Sequence, residues 1–152
     1  NIGSVTLQNR FVMPAMGSSH GHGDGTVSDK LIAYYEARAK GGFGLIITEF
    51  TCVDPVGKAL PGQLMIYDDS FIPGFQKLAD RIHQAGSKVF MQLQHSGRQT
   101  VSAFSGYQPV SASAIPCPVN KELPRELTTQ EVYEVIEKFG DAALHAPAYA
   151  SQ

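Results

Sequence analysis

Residues 88–98 read KVFMQLQHSGR. Positions 89–93 predict a buried β-strand, yet Gln92 and Gln94 fall two apart and so share one face at its end. An uncharged amide offers both a donor and an acceptor, so Gln92 can match an imide-like edge that also has both. A glutamine at such a place can also satisfy neighbouring backbone groups around the rim, and spacing alone leaves both readings open. Arg98 can grip an anionic group or clamp a loop carbonyl. His95 can act as an acid or base, but a single histidine beside a strand end reads first as structural.

Other candidate chemistry is weaker. HGHGDG, residues 20–25, places His20, His22 and Asp24 in one loop. Zinc needs three or four ligands in fixed geometry. A glycine-rich loop does not hold them, so a mobile turn and no metal are expected. GGFG, residues 41–44, lacks the Lys-Ser/Thr ending of a phosphate loop and sits at a predicted helix end, where the dipole repels phosphate. Tyr34 and Tyr35 read as core and interface residues. Cys52 and Cys117 form neither a CxxC pair nor a disulfide framework, which suits a reducing cytoplasm.

The elements that must position these residues follow from periodicity and punctuation. LQNRFVM, residues 7–13, predicts a first strand closed by Pro14. Ser28 caps a helix with Leu31, Ile32, Tyr35 and Ala39 on one side, and Gly41 and Gly42 end it. GLIIT, residues 44–48, is a β-branched run suited to a strand covered on both faces. A second helix runs from near Ile72 to Ala85, with Pro73 in its first turn and a stripe of Phe75, Leu78, Ala79 and Ile82. The third strand spans 88–93. A proline-rich loop leads to a third helix that opens on a capping box, Thr128 to Glu131, with Val132, Val135, Ile136, Phe139 and Ala143 as its expected buried face.

Strand and helix alternate with no hairpin, which predicts a parallel sheet with right-handed crossovers. Loops after strands are long and loops before strands are short. That asymmetry is expected of a (β/α)8 barrel, whose site lies at the C-terminal ends of the strands. A doubly wound sheet is the alternative, but no glycine-rich fingerprint runs from the first strand into a helix. A complete barrel needs about 250 residues, whereas the chain has 152. An α/β fold forming part of a (β/α)8 TIM barrel, about its first three βα units, is therefore expected. The chain opens on Asn1, which suggests a start inside something longer or a processed one.

A hydrophobic content of 43% with 17% charged residues places the chain among globular proteins. A net charge of −2 gives no reason to expect nucleic acid or an anionic membrane surface. No apolar run approaches the roughly 18 residues of a membrane helix, and no secretory leader is visible.

Four stretches carry a resemblance: LQNRFVMPAM at 7–16, YYEARAKGGFGLIITE at 34–49, GFQKLADRIHQAGSKVFMQLQHSGR at 74–98 and PVNKELPRELTTQEVYEVIEKFGDAAL at 118–144. With them the chain resembles the N-terminal part of the Old Yellow Enzyme family of FMN-dependent oxidoreductases. The likeness is to its bacterial branch of NADH oxidases, 2,4-dienoyl-CoA reductases and bile-acid-inducible reductases. It covers residues 1–144 and leaves 145–152, HAPAYASQ, as a tail outside the family pattern.

The resemblance implies a (β/α)8 barrel with FMN at its C-terminal mouth. Pro14, Ala15 and Met16 would lie against the flavin ring, and Gln92 would hydrogen-bond the pyrimidine edge. Family members often carry Thr or Cys where Gly17 stands, tuning the flavin by a hydrogen bond that glycine has no side chain to make, and a small residue bordering the flavin where Phe50 stands, so that either Phe50 turns away or the pocket is reshaped. The family's substrate-binding His pair, its phosphate loops and the cysteines of its iron–sulfur branch would all lie beyond this chain. A cluster in the full-length parent would thus take its ligands from outside these residues, and no catalytic residue is assigned within them. The implied activity is hydride transfer from NAD(P)H through FMN to an activated alkene or enoyl thioester, in a cytoplasmic homo-oligomer acting on small molecules. The alternative is a non-catalytic barrel fragment with open edges, needing self-association or a missing partner segment.

Overall fold

The computed structural model describes residues 1–145. Three strands form one parallel sheet in the order β1 (Val12–Met13), β2 (Leu45–Cys52), β3 (Lys88–Gln94). Helix α1 (Asp29–Lys40) crosses from β1 to β2, and α2 (Ile72–Gln84) from β2 to β3. All three strands therefore end at the same edge of the sheet, and the long loops emerge there. The chain is a partial (β/α)8 barrel, as its alternation predicts.

The two crossover helices follow their sequence signals. Ser28 Oγ accepts from the Leu31 N–H at 3.1 Å and starts α1. Leu31, Ile32, Tyr35 and Ala39 are buried, as are Phe75, Leu78, Ala79 and Ile82 of α2. They pack with Met13, Ile46 and Val89, which lie abreast on the three strands.

Three expectations need correction. The first strand has two residues rather than seven, because Asn9 turns the chain: its Oδ1 accepts from the Phe11 N–H at 3.0 Å and its Nδ2 donates to Gly42 O at 2.8 Å. Such an Asx turn competes with the sheet ladder. Gly44 admits this turn, since a Cβ there would lie 2.6 Å from Asn9 O. The run 94–128 is not plain loop. It holds a one-turn helix α3 (Ser102–Ser105) and a two-residue parallel pair, β4 (Val110–Ser111) with β5 (Arg125–Glu126).

The last helix, α4 (Thr129–His145), opens on the predicted box: Thr128 Oγ1 accepts from the Glu131 N–H, and the Glu131 carboxylate accepts from the Thr128 N–H. Its buried face matches the predicted one only in part. Ala142 is buried, Val135 and Phe139 are half-buried, and Val132, Ile136 and Ala143 are exposed. The apolar stripe is wider than the surface that α4 meets here. Residues 146–152 of the predicted tail lie outside the described residues. No described helix is long and apolar enough to cross a membrane.

Candidate functional site

The candidate site lies where β1, β2 and β3 end. Pro14, Ala15, Met16 and Gly17 follow β1 directly; Pro14, Met16 and Gly17 are exposed and Ala15 is half-buried. Phe50 is half-buried near the end of β2. Its ring lies over Gly17 so closely that a Cβ built on the glycine would come 2.6 Å from Phe50 Cζ. Phe50 and Gln92 line a cavity of about 500 Å³ that continues to Gln94, Phe104, Cys117 and Asn120. The predicted residues of all three strands are thus brought to one rim, with Phe50 as the link between the Gly17 side and the Gln92 side.

The two glutamines of β3 have different fates. Gln94 accepts from Gln63 Nε2 at 2.9 Å and donates to Ser96 Oγ at 2.5 Å. Gln63, itself buried, also accepts from the Ala59 and Leu60 N–H groups, so this amide chain fastens the loop after β2 to the end of β3. Gln92 is exposed, and its side-chain amide has no hydrogen-bond partner among the described residues. One amide serves the scaffold; the other is free to meet a ligand.

Arg98 is a clamp. Its Nη1 donates to Ile115 O at 3.2 Å and holds the 98–115 loop closed. His95 is structural in its contacts. Its ring packs on Gly57, its Nδ1 accepts from the Gly97 N–H at 3.0 Å, and its Nε2 faces Asp54 Oδ2 at 3.9 Å without a hydrogen bond. Burial pushes the imidazole below its usual pKa, against the pull of Asp54. Lys138 of α4 reaches the same Asp54 oxygen at 2.5 Å, which docks α4 against the ends of β2 and β3. In the histidine loop, Asp24 is turned onto Thr26, from which it accepts at 2.9 and 2.7 Å, and His20 meets Tyr34 edge-on with ring centroids 5.6 Å apart.

Sequence reasoning missed Glu49. It is 2% exposed, and its Oε2 accepts from the Ser18 N–H at 3.2 Å, the Ser18 hydroxyl at 2.5 Å and the Tyr35 hydroxyl at 3.3 Å. An acidic residue inside the apolar run LIITEF was a legible signal, because a buried carboxyl group demands partners. Cys117 was noted only for what it does not form. It is buried in the cavity wall, where the backbone N–H groups of Asn120 and Val119 hold its thiol below the usual pKa.

The rim suits one end of a particular ligand. It offers apolar surface from Phe50 and Phe104 and the exposed amide of Gln92, with both donor and acceptor, alongside the amides of Gln99 and Asn120, while the space left by Gly17 is filled by the Phe50 ring. That donor set fits a planar ring with an imide edge. Among the described residues no Lys or Arg lines the cavity.

Residues 1–150 match the family of NADH:flavin oxidoreductases and NADH oxidases. The chain belongs to that family. It is 48% identical over 147 residues to an NADH oxidase of Thermoanaerobacter brockii, covering 95% of this chain and 23% of that protein. Its structure superposes on a 2-naphthoyl-CoA reductase with a TM-score of 0.92 at 29% identity, over 98% of this chain and 25% of the other. It superposes on an Old Yellow Enzyme homologue from Zymomonas mobilis with a TM-score of 0.88 at 27% identity, over 97% of this chain and 44% of the other. The chain therefore spans between about a quarter and under half of the length of these proteins.

Proposed function

We propose that this chain supplies the flavin-ring end of an FMN-dependent oxidoreductase that moves hydride from NAD(P)H to an activated alkene or an enoyl thioester. The observation that carries the proposal is the free Gln92 amide on the rim, beside the Phe50 ring seated on Gly17. Bound FMN would supply the two-electron carrier between the nicotinamide and the acceptor. The chain's residues bind and orient it. Gln92 donates to and accepts from the pyrimidine edge. Pro14, Ala15, Met16 and Gly17 form the floor, and Phe50 keeps water from one side of it. No described residue is assigned a proton-transfer role, and the phosphate anchor and any iron–sulfur ligands come from other segments. Family membership supports FMN and a nicotinamide donor, and the reductase neighbour, whose substrate is a CoA thioester, supports the thioester as acceptor. The free cysteines are consistent with work in a reducing cytoplasm.

The protein carrying this chain, purified as expressed, is expected to be yellow and to bleach when NADH or NADPH is added without oxygen. A colourless sample that takes up no FMN on titration rules the proposal out.

A second reading, a non-catalytic barrel piece covering residues 1–144 that associates with itself or a partner, has its own support. Val132 and Ile136 of α4 are 39% and 59% exposed on one stripe. Exposed apolar stripes of this kind drive association. On this reading the chain alone sediments as an oligomer, and Val132→Glu with Ile136→Glu returns it to the monomer.

A further inference from the structure

The end of β2 departs from strand alternation. Thr48 pairs with Met91 and Thr51 with Leu93, so β2 spends three steps where β3 spends two. One extra residue in a strand is a β-bulge, and a bulge re-aims the side chains around it. Ile46 faces the core beneath α1 and α2. Strict alternation would put Phe50 on that same face and Glu49 on the other. The opposite holds: Glu49 reaches Tyr35 of α1, while Phe50 lines the rim cavity with Gln92.

These two re-aimed neighbours hold two neighbours on the loop after β1. From the core side, Glu49 Oε2 takes both the N–H and the hydroxyl of Ser18. From the rim side, the Phe50 ring covers Gly17 with no room for a Cβ. The Glu49 N–H donates to the Tyr35 hydroxyl at 2.7 Å, which ties the bulge itself to α1. Ahead of Gly17 and Ser18, Pro14 and Met16 are exposed and Ala15 is half-buried.

We infer that Glu49 and Phe50 are positioning residues: the bulge of β2 clasps Gly17 and Ser18 from opposite sides and thereby sets where the floor segment 14–17 meets the flavin ring. The inference rests on the FMN reading above and deepens it. It also accounts for two sequence features at once. A glycine at 17 and a phenylalanine at 50 are one arrangement, since either a larger residue at 17 or a strand without the bulge would break it.

The test follows FMN affinity by fluorescence titration, the visible spectrum of the bound flavin and the melting temperature, in the protein as expressed. Ser18→Ala removes the hydroxyl from the clasp. It is expected to weaken FMN binding about tenfold, in line with loss of a hydrogen bond to an acidic group, and to shift the visible band. Ser18→Thr restores both. Gly17→Ala sets its Cβ against the Phe50 ring and loses FMN affinity and melting temperature together. Adding Phe50→Ala to it returns the space and recovers the melting temperature. Additive effects of Gly17→Ala and Phe50→Ala on melting, or Ser18→Ala with unchanged affinity and spectrum, overturn the clasp while leaving the FMN reading intact. Failure of the unsubstituted protein to bind FMN overturns both.

Discussion

Gln63 Nε2 donates to Gln94 Oε1 at 2.9 Å, and this bond separates the tasks of two glutamines that look equivalent in the sequence. Gln63 is buried, so cutting its partner strands an amide N–H away from water. Gln94→Ala is therefore expected to destabilise the fold by about 1–3 kcal/mol. Gln92 is exposed and unpartnered, so Gln92→Ala leaves the urea midpoint nearly unchanged while FMN affinity falls. Chemical denaturation and flavin titration on the two variants check this. The assignment is lost if Gln92→Ala retains FMN as well as the parent does.

His95 gives stability a pH dependence of predictable sign. The groups facing it are the Asp54 carboxyl, the Lys138 ammonium bound to that carboxyl, and the Gly97 N–H on Nδ1. Burial holds the folded-state pKa below the ordinary histidine value of 6.5. The unfolded chain thus binds the proton more readily, and folding must release it as pH falls below that value. The contribution is fully present above about pH 6.5 and is lost as the solution becomes more acidic. Denaturation midpoints at about pH 5 and about pH 8 should show the loss on the acid side, and His95→Asn should flatten it. An unaltered slope in that variant would show that other groups carry the dependence.

Much of this fold was legible because its signals are local. Ser28, Pro73 and the Thr128–Glu131 box mark helix starts, and the stripes on α1 and α2 bury as their spacing predicts. The misreadings share a physical cause: they depend on partners distant in sequence. Nothing in residues 7–13 announces that Asn9 will bond Gly42 and cut the strand short. The stripe on α4 is real, but only the surface that α4 meets decides that Ala142 is covered and Val132 is not. The bulge of β2 is invisible to periodicity, since a run of apolar residues gives no count of the residues opposite. Gln92 and Gly17 stand out as candidates from type and resemblance, whereas the bond from Ser18 to Glu49 required the loop after β1 to be in place.

The two cysteines should differ sharply in reactivity, and the difference reports on the rim. Cys52 is buried in the core and its thiol is pushed up to about 11, chiefly by burial. Cys117 is also covered, but it lines the rim cavity, and the backbone N–H groups of Asn120 and Val119 lower its pKa, helped by Arg98. The thiolate is the nucleophile in alkylation. Iodoacetamide applied to the native protein near neutral pH should therefore modify Cys117 well before Cys52, as read by peptide mass spectrometry. Since Cys117 shares its cavity with Phe50 and Gln92, saturating FMN should slow its modification and leave the slow rate at Cys52 unaltered. Equal rates at the two thiols would mean that local unfolding, rather than the open cavity, governs access. A rate at Cys117 indifferent to FMN would place the flavin ring away from this wall.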